Sequence, residues 1–578
     1  MQTTTSFTAP LVVLDVVGGA LVAYRPDVQL VGLPAEVADL ASLAEWALAY
    51  GLGAPGIGQF GEEFGPLLVL TEAATEFVGL PARLEDRWNL RLADDHPARK
   101  GLVEAGWELG RAGLAPWTLI FKGRTECRFA FLPWEAFSDM TRWGGIGESG
   151  DPAALAYVLG LFAERVIPPT GSTAATSLEL MTSLRPPRRL DWTGGRMRRV
   201  PVPGSLVRAI DPAPPEAIDA HPIAAGRTPE QSRNPRHVVM EEPLVWFREP
   251  TEAEQQLAHV VGLDVCMAFG AASNRLEIGL GPAVHTDGPR FDKKIPGAWL
   301  CDFSGVTLRA KDLVTKEWRD LPPEFPSPFT PDGKAPTGPA WYETPTLAYA
   351  VELGVDVQPL EGYLRVEPAE PDLPVSGGYF TLWYQRLQSA YMATLADLGV
   401  TEGMGEKEFL AAMASIGERD PEAAALLRAI KQVAKGGVGK MAERPQGKRE
   451  KNAPWPALKR PTYSPHARYT VISAARTGAH RKAVKTWLAT GAVPLAVLSD
   501  CWVYASNVPS ALAVVPRKPD GTPLPGGWRL GPNPGYVKEE GTKPMAWYLD
   551  LMAKGRKVGK EINPARFIKG TDALLDGE

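Results

Sequence analysis

Two short apolar segments, far apart in the sequence, each carry an aspartate, and they constrain the fold more than any other feature. Gly262–Phe269 reads Gly-Leu-Asp-Val-Cys-Met-Ala-Phe, and Ala496–Tyr504 reads Ala-Val-Leu-Ser-Asp-Cys-Trp-Val-Tyr. A strand of this kind delivers the aspartate at its end or edge to a polar site. Between them, Ala429–Met441 is a helix-like run that carries lysines and ends in glycines. Two carboxylates that bind Mg²⁺ and a lysine that faces a triphosphate are the parts that phosphoryl transfer needs.

The composition is that of an ordinary globular protein with several domains. The chain has 578 residues, of which 44% are hydrophobic and 22% charged, and its net charge is -5. Any affinity for nucleic acid must therefore come from a local basic patch. The four cysteines, at positions 127, 266, 301 and 501, show neither metal-binding nor disulfide spacing. The N-terminus lacks a signal-peptide pattern, and no run approaches the roughly 18 apolar residues of a membrane span. We therefore expect a cytoplasmic protein with no membrane partner.

A local basic patch is present between Arg428 and Lys485. This segment contains fifteen lysines and arginines but only two acids, Glu443 and Glu450. So much charge of one sign repels itself unless an anion offsets it. A stripe that follows a phosphate backbone is therefore favoured over the alternative, a solvated basic face. The candidate DNA-binding residues of this segment are Lys440, Arg444, Lys448, Arg449, Lys451, Arg481 and Lys482.

The hydrophobic patterns predict an α/β layer at the N-terminus and helices nearer the C-terminus. Strands are predicted at 11–17, 20–24, 66–71 and 117–121, and helices at 34–50, 153–165, 382–398, 406–435 and 471–490. A hairpin followed by alternating helix and strand resembles a ribonuclease-H-type sheet. Residues 186–250 are rich in Pro, Arg and Asp with little periodicity, which indicates a long connection, and 322–339 is typical of an extended loop.

The glycine-rich segment Lys435–Lys440 has an alternative interpretation as the phosphate-binding loop of an ATPase. Such a loop needs a strand before it, a helix after it and a Ser or Thr after the lysine. Here a helix-like run precedes the segment, Met441 replaces the hydroxyl residue, and Pro445 blocks a long helix afterwards. The ATPase is the weaker interpretation.

Several motifs, in order, resemble those of family B DNA polymerases. Asp264 to Phe269 is similar to the family's Asp-x-x-Ser-Leu-Tyr motif, because Phe269 stands at the position of the motif's tyrosine. Lys431 to Gly439 resembles Lys-x-x-x-Asn-Ser-x-Tyr-Gly, and Leu498 to Cys501 resembles Asp-Thr-Asp-Ser. The stretch around Lys538 is similar to the segment whose lysine supports the primer end.

This resemblance implies a role for each matching residue. The catalytic residues would be Asp264, Asp500 and Lys431, of which the two aspartates would bind Mg²⁺ or Mn²⁺. The nucleotide-binding residues would be Phe269, Lys431, Lys435 and Gly439, with Phe269 filling the space of a ribose 2′-hydroxyl. Lys538 would be a further DNA-binding residue, in contact with the primer strand.

The chain also departs from the family B pattern. Lys435 and Val438 stand where the family has Asn and Tyr, and only one aspartate remains in the third motif. The family's first exonuclease motif, Asp-x-Glu, is reduced to Asp15-Val-Val17. Because two-metal hydrolysis needs several acidic ligands, we expect an N-terminal sheet without proofreading activity, in which Asp15 is a turn residue.

The chain as a whole resembles the telomere-associated proteins (Tap) of linear actinobacterial replicons. The matching segments are residues 68–73, 171–181, 328–333, 336–342, 435–447 and 495–501. The resemblance implies a small terminal protein, attached covalently to DNA 5′ ends, as partner, and action at 3′ overhangs in the bacterial nucleoid. Members of that family begin with a helix-turn-helix domain, whereas this chain starts directly at the sheet, so telomere-sequence recognition through such a domain is not expected here.

Together these features predict a multidomain α/β and α+β protein with the right-hand arrangement of a family B polymerase. The expected divisions are a degenerate exonuclease-like domain at 1–185, a Pro/Arg-rich connector at 186–249, a palm with insertions at 250–400, fingers at 401–450, the rest of the palm at 451–545 and a short thumb or tail at 546–578. The predicted function is Mg²⁺-dependent deoxynucleotidyl transfer from dNTPs at a single-stranded 3′ overhang or telomere end, primed by the terminal protein. The alternative is a catalytically inactive polymerase-fold scaffold that binds DNA and recruits that partner.

Overall fold

The structure is a computed structural model that describes residues 9–57, 63–85, 90–148, 150–193, 195–312, 315–445 and 455–568. Strands in these ranges form one seven-stranded, one five-stranded and one four-stranded sheet together with three two-stranded ribbons. In chain order the strands are β1 (Leu11–Val17), β2 (Ala20–Tyr24), β3 (Leu30–Gly32), β4 (Leu67–Leu70), β5 (Glu108–Leu109), β6 (Trp117–Lys122), β7 (Thr125–Phe131), β8 (Arg188–Thr193), β9 (Arg196–Pro201), β10 (Val245–Phe247), β11 (His259–Val265), β12 (Ile278–Gly279), β13 (Val284–Asp287), β14 (Gly297–Asp302), β15 (Arg309–Lys311), β16 (Trp318–Asp320), β17 (Pro339–Glu343), β18 (Glu361–Leu364), β19 (Ser376–Gly377), β20 (Ala496–Leu498), β21 (Cys501–Ser506) and β22 (Val537–Pro544).

Helices connect and cover these sheets. They are α1 (Leu40–Ala49), α2 (Glu72–Phe77), α3 (Pro97–Glu104), α4 (Pro152–Arg165), α5 (Thr173–Leu184), α6 (Glu252–Gln255), α7 (Ala268–Ser273), α8 (Thr344–Glu352), α9 (Thr381–Asp397), α10 (Glu406–Ala414), α11 (Ile416–Arg419), α12 (Pro421–Lys440), α13 (Pro465–Thr490) and α14 (Met545–Val558). None of the helices in the described ranges combines the length and apolar character that crossing a membrane needs.

The seven-stranded sheet occupies the N-terminal part of the chain, in the order β3-β2-β1-β4-β7-β6-β5. Its central strands β1, β4 and β7 are parallel, and the outer neighbours pair antiparallel. Strand β4 and the first four residues of β1 are continuous, fully buried apolar runs, as expected where helices cover both faces of a sheet. Leu11 and Val13 pack into a core shared with α4, whereas Val12 and Leu14 pack into a second core with α1 and α2. The predicted hairpin and α/β layer are present.

The five-stranded sheet is antiparallel throughout, in the order β10-β20-β21-β11-β22. Strand β11 pairs on one side with β21 and on the other with β22, both of which come more than 200 residues later in the chain. A four-stranded sheet in the order β13-β18-β14-β17 is formed from the intervening chain. The mixed α/β, multi-unit organisation is therefore confirmed, and the right-hand and ribonuclease-H-like assignments stay predictions.

Most of the predicted helices are present, but three have different ends, and the one expected at 471–490 already begins at Pro465. The helix expected at 34–50 begins only at Leu40, because Asp39 and Ser42 form a capping box. The backbone N–H of Ser42 donates to Asp39 Oδ1 at 2.8 Å, and that of Asp39 donates to Ser42 Oγ at 3.1 Å. The run expected as one helix at 406–435 is divided into α10, α11 and α12, because Asp420 caps a new helix at Pro421.

One further expectation for the first half of the chain is wrong. Asp15 is not a turn residue but lies inside β1, where its Oδ1 accepts a hydrogen bond from Thr71 Oγ1 at 2.6 Å. Thr71 is also the N-cap of α2, so Asp15 links the strand to the start of that helix. The Pro- and Arg-rich stretch after residue 186, expected as a long connection or covering segment, begins with the β8–β9 ribbon.

Helix α12 runs unbroken through Lys435–Lys440, which excludes a phosphate-binding loop there. The expectation that the helical run ends at its glycines is wrong as well, because these glycines let α12 approach α5 closely. A Cβ on Gly436 would lie 2.9 Å from Ala174 Cβ, and one on Gly437 would lie 2.8 Å from Ser177 Cβ. Both distances are shorter than a normal contact, so this face of α12 tolerates no side chain.

We predict that Gly437→Ala lowers the free energy of unfolding by about 1–3 kcal/mol, because the added methyl group overpacks the α12–α5 contact. The matched control is Gly439→Ala, two residues along the same helix, where a Cβ meets nothing within 4 Å. That change should raise stability by about 0.5–1 kcal/mol, because alanine favours a helix interior. Chemical denaturation measures both, and equal effects of the two substitutions would contradict the packing role of Gly437.

Helix α13 contributes a buried neutral histidine to the core beneath the five-stranded sheet. The His480 side chain is fully buried; its Nε2 lies 2.8 Å from the Pro326 carbonyl oxygen, and its Nδ1 lies 2.8 Å from the Tyr349 hydroxyl oxygen. The carbonyl can only accept, so Nε2 carries the proton and Nδ1 accepts from the hydroxyl. The pKa of His480 is lowered from 6.5 to about 4, mainly by burial and in smaller part by the nearby Arg481 and Arg476 guanidinium groups.

We predict that acidification from pH 6.5 to 4 destabilises the fold through His480. In this window the unfolded chain binds a proton that the folded histidine does not, so the free energy of unfolding falls as the pH falls, by up to about 3 kcal/mol for this group. His480→Gln keeps one donor and one acceptor but cannot titrate. Its unfolding free energy should therefore depend less steeply on pH between 6.5 and 4 than that of wild type, whereas parallel profiles would show that His480 does not carry this dependence.

Candidate functional site

The two predicted catalytic aspartates become neighbours at one end of the five-stranded sheet. Asp264 lies in β11, and Asp500 lies in the two-residue turn that joins β20 to β21. This turn is tight because Leu498 pairs with Cys501 and Ser499 adopts a positive φ of 57°. Cys501 is also the register partner of Asp264, and the backbone N–H of Val265 donates to the Asp500 carbonyl at 3.1 Å. The pairing of β11 with β21 thus joins two parts of the chain that the sequence keeps far apart.

The carboxylate of Asp264 forms an ion pair with Lys538 on the opposite neighbouring strand. Lys538 Nζ lies 2.8 Å from Asp264 Oδ2 and 2.7 Å from Glu540 Oε2, and the Lys538 and Asp264 side chains are 12% and 17% exposed. Burial disfavours the charged ammonium, but the carboxylates of Asp264 and Glu540 outweigh it and raise the pKa of Lys538 well above its ordinary value. Lys538 therefore neutralises Asp264, whereas its predicted contact with a primer strand stays a prediction.

Oxygen ligands of the kind that Mg²⁺ takes are present at this end of the sheet. Lys538 contacts Oδ2 of Asp264, and within the described chain no side chain or backbone group donates to Oδ1. Asp500 borders a cavity of about 780 Å³ next to the turn. The carboxylate oxygens of Asp264 and Asp500 are of the ligand type that suits a divalent cation, and the binding of a cation by these two residues stays a prediction.

The cavity beside Asp500 has an apolar floor and a cationic rim. The lining residues that carry charge are Asp500, Arg476, Lys482, Lys518 and Arg529. Arg476 is already paired with Glu241, which leaves Lys482, Lys518 and Arg529 against one lining acid, so the cavity suits an anionic ligand. Its apolar surface comes from the end of β11 and from α7, including Val265, Ala268 and Phe269. A flat apolar group and several negative charges on one ligand would match both surfaces.

Helix α7 brings Phe269 to this cavity. Met267 has a left-handed backbone, with φ 46°, and forms the N-cap of the helix, so the chain turns sharply from β11 into α7. Non-glycine residues rarely adopt this conformation, and such strain is often found at functional sites. Cys266, between Asp264 and this turn, is buried, which raises the pKa of its thiol to about 11, although Lys538 and Lys431 partly offset the effect. Phe269 and Asp500 therefore line the same cavity, as their predicted roles require.

The predicted residues of α12 do not line the cavity. Lys431, Lys435 and Gly439 lie at successive turns on the exposed face of this helix. The charge of Lys431 acts on the Cys266 thiol, which places this lysine on the Asp264 side of the site. Lys440, at the end of the helix, pairs with Glu443 at 3.0 Å, and Arg444 is exposed. The nucleotide-binding roles of the α12 residues stay predictions.

The predicted basic stripe from Arg428 to Lys485 is not continuous in the structure. Carboxylates from other parts of the chain pair with three of its arginines: Glu242 with Arg468, Glu241 with Arg476 and Glu352 with Arg481. Glu443, from within the segment, pairs with both Lys440 and Arg460. Much of the one-signed charge is therefore offset inside the protein. Three of the predicted DNA-binding residues, Lys448, Arg449 and Lys451, lie outside the described residues.

Lys482 is the predicted DNA-binding residue that reaches the cavity. Its ammonium donates to the Gly535 carbonyl and lies 5.8 Å from the centre of the Trp528 ring. Burial lowers the pKa of Lys482 below its ordinary value. A partly desolvated cation at the rim of a cavity gains more from an anionic ligand than a solvated surface lysine does.

Sequence reasoning missed the cations that the loop between β21 and β22 contributes. Lys518 and Arg529 come from this loop, and the Arg529 guanidinium lies 4.8 Å from the centre of the Tyr536 ring, which lines the cavity too. The loop is dense in Pro and Gly and has no helix or strand periodicity, so no pattern assigns these residues to a site. The one available signal is the basic and aromatic content of a loop that directly follows the Asp500 segment.

Glu216, Glu343 and His466 form a second, fully buried cluster, whose potential ligand atoms lie within 4.8 Å of one another. Hydrogen bonds involve several of its atoms, whereas His466 Nδ1 and Glu343 Oε1 are buried without a hydrogen-bond partner among the described residues. The backbone N–H of Gly279 donates to His466 Nε2 at 3.1 Å, so the ring proton resides on Nδ1, 3.0 Å from Glu343 Oε2. Both oxygens of Glu216 accept from Arg365, at 2.9 and 2.6 Å. Burial, together with the neighbouring Glu216 carboxylate, raises the pKa of Glu343 well above its ordinary value, so a proton balances the charge here.

Comparisons with known proteins find one domain family and several solved structures that are similar to this chain. Residues 12–172 match the family model of a domain of unknown function, DUF8841. No curated protein matches the chain. Among solved structures, the ternary complex of phi29 DNA polymerase with primer-template DNA and incoming nucleotide substrates is 11% identical, with 92% of this chain and 84% of that chain covered and a TM-score of 0.40. The phi29 polymerase complex with single-stranded DNA is 12% identical, with 82% and 75% covered and a TM-score of 0.33. These scores are too low to carry an argument, so the site is interpreted from its own residues.

We predict strong coupling between Asp264 and Lys538. In a double-mutant cycle with Asp264→Asn and Lys538→Met, we expect a coupling free energy of about 1–3 kcal/mol, because Lys538→Met leaves the poorly hydrated Asp264 carboxylate without its ammonium, whereas Asp264→Asn leaves Lys538 with Glu540 alone. The matched control is the Asp332–Lys334 pair, whose atoms are 3.8 Å apart and whose side chains are 58% and 72% exposed. Its coupling should stay below about 1 kcal/mol. Unfolding by urea measures both cycles, and equal coupling energies would contradict the role of Lys538.

Proposed function

We propose that the protein catalyses Mg²⁺-dependent deoxynucleotidyl transfer at a DNA 3′ end. The observation that carries the proposal is the junction of Asp264 and Asp500, from distant parts of the chain, beside a cavity that is lined by Phe269 and by three cations other than the paired Arg476. A deoxynucleoside triphosphate has the matching chemistry, since it combines a flat base with several negative charges. Carboxylates at the edge of such a cavity have little use unless a cation joins them to the phosphates.

Each part of the site would then have a defined task. Asp264 and Asp500 would hold Mg²⁺ or Mn²⁺, which supplies charge neutralisation at the phosphates when bound. Lys482, Lys518 and Arg529 would attract and orient the triphosphate, and Phe269 would pack against the sugar and exclude a ribose 2′-hydroxyl. Lys431, Lys435 and Gly439 would join the nucleotide site only if α12 moved or the nucleotide extended towards it.

The similarity of the sequence to Tap supports a more specific setting for this reaction. In that setting the protein acts at telomere ends in the bacterial nucleoid, together with a small terminal protein whose hydroxyl group primes synthesis. The incomplete motif at Asp15 supports an N-terminal domain without proofreading activity. The palm, fingers and thumb divisions, at 250–400 with 451–545, 401–450 and 546–578, belong to the same proposal.

A second candidate function is a non-catalytic scaffold that binds DNA and recruits the terminal protein. The observation that favours it is the ion pair between Asp264 and Lys538. An ammonium at 2.8 Å already satisfies the carboxylate, and a metal would have to bind beside this positive charge at a Coulombic cost. The two candidates share the DNA-binding surfaces and differ only in the chemistry at Asp500.

We predict that Asp500→Asn lowers nucleotide incorporation by at least about 100-fold, because it removes charge stabilisation at the reacting phosphates. The assay uses labelled dNTPs, Mg²⁺, a 3′-overhang DNA and the terminal protein, and DNA binding is measured in parallel and should not change. Asp332→Asn, which alters an exposed aspartate of the Asp332–Lys334 surface pair, is the matched control and should retain full incorporation.

The same assay separates the two candidates. If wild type incorporates no nucleotide, still binds DNA, and shows no shift of melting temperature with Mg²⁺, the scaffold is the correct function. If Asp500→Asn incorporates as much as wild type, the reacting groups lie elsewhere and the proposed site is wrong.

A further inference from the structure

The β8–β9 ribbon is an exposed two-stranded element with unusual side chains. Its strands carry five arginines and one acid, at positions 188, 189, 196, 198, 199 and 191. Three large apolar side chains are among the most exposed of the described chain: Trp192 at 68%, Leu190 at 58% and Met197 at 57%. Apolar groups this exposed on one small element indicate an interaction surface.

The register of the ribbon sorts these side chains onto two faces. Leu190 pairs with Arg199 and Trp192 pairs with Met197, so these four side chains share one face, which we call the tryptophan face. Arg189, Asp191 and Arg198 lie on the other face, where Arg189 pairs with Asp191 at 3.0 Å. Asp191, the one acid of the ribbon strands, is therefore neutralised by Arg189 on the face opposite the tryptophan face.

The tryptophan face combines apolar surface with uncompensated positive charge. Arg199 forms no ion pair with any described residue, and the ribbon strands place no acid on its face, whose base is reached by Glu370 through its pair with Arg188. The base of the ribbon is anchored, because the Arg188 guanidinium pairs with Glu370 and the backbone N–H of Val202 donates to the Pro187 carbonyl at 3.2 Å. A fixed base and a projecting, cationic, aromatic face make a platform for a ligand that has both rings and negative charges.

We propose that the tryptophan face binds single-stranded DNA. Unpaired bases stack on an exposed indole, and arginines contact the phosphates between them. A duplex would offer only phosphates, because its bases are already stacked on one another. A second copy of this chain is a poorer occupant, because it would place Arg199 of each copy against a face of the same charge. The identity of the polyanion as DNA rests on the proposed function, but binding here needs no chemistry at Asp500.

The test measures the affinity of the full chain for a fluorescein-labelled twenty-nucleotide oligothymidylate by fluorescence anisotropy. We expect Trp192→Ala to weaken binding by roughly 5- to 150-fold, the range found for loss of one stacked base. Trp192→Phe should restore most of the affinity and Trp192→Leu should not, because stacking needs an aromatic ring. The matched control is Trp318→Ala, which removes another exposed tryptophan, 44% accessible, from the β15–β16 ribbon and should leave affinity unchanged.

A second pair of variants tests which face of the ribbon contacts the phosphates. Arg199→Gln should reduce the slope of log affinity against log salt by about 0.7, the value for one phosphate contact on a single strand. Arg198→Gln removes the same charge one residue away on the other face and should have a smaller effect. Asp500→Asn should bind the oligonucleotide as wild type does, so loss of incorporation and loss of ribbon binding are separate results.

Several results would overturn the proposal. One is an affinity of Trp192→Ala within twofold of wild type, and another is equal effects of Arg198→Gln and Arg199→Gln. A third is an equally large loss for a duplex of the same length, and a fourth is a wild-type dimer in sedimentation that Trp192→Ala converts to monomer, which would assign the face to self-association. Because all the altered side chains are exposed, unchanged melting temperatures should confirm that the variants fold.

Discussion

The ion pair between Asp264 and Lys538 is the interaction on which the site depends. Strand β11 carries a carboxylate into a poorly solvated position between two neighbouring strands, where an unpaired charge is costly. Lys538 on β22 offsets this cost and is itself held by Glu540. The site is therefore complete only when the C-terminal strand has added to the sheet, and its geometry is tied to the folding of the whole chain. The Lys538 ammonium also repels any metal ion that approaches Asp264, so the ion pair that stabilises the site also opposes metal binding there.

Other buried charges follow the same rule and connect distant segments. Arg365 is held by both oxygens of Glu216, and Arg476 by Glu241, all within the protein interior. Removing one member of such a pair leaves the other uncompensated, so the pairs specify which segments meet. Together with the pairs of Arg468 and Arg481, they also explain why part of the positive charge of the Arg428–Lys485 segment is offset inside the described protein. The surfaces that remain for an anionic ligand are those where cations form no ion pair with a described residue, as for three of the four cations of the cavity and for Arg199 on the tryptophan face.

Close packing determines which side of α12 is available for binding. Gly436 and Gly437 face α5 and Val438 is buried, so Lys431, Lys435 and Gly439 lie towards solvent. The lysines keep this direction as long as the glycine contact holds the helix against α5. A glycine-rich sequence that resembles a phosphate-binding loop is thus a helix-packing surface. Because its glycines face α5, the lysines of α12 lie on the opposite, exposed side of the helix.

The sequence by itself determined the local elements and the chemical character of the site. Apolar runs identified β1, β4 and β11. The caps Asp39 and Asp420 are also visible in the sequence, and they set where α1 and α12 begin. Asp264, Phe269 and Asp500 were recognisable because short motifs retain residue type and order. Tertiary structure alone decided which charges cancel, that Lys538 pairs with Asp264, that loop residues Lys518 and Arg529 reach the cavity, and which face of the β8–β9 ribbon lacks an acid. The physical reason is that propensity and periodicity act between near neighbours in the chain, whereas charge compensation and desolvation depend on distances that only the folded chain creates.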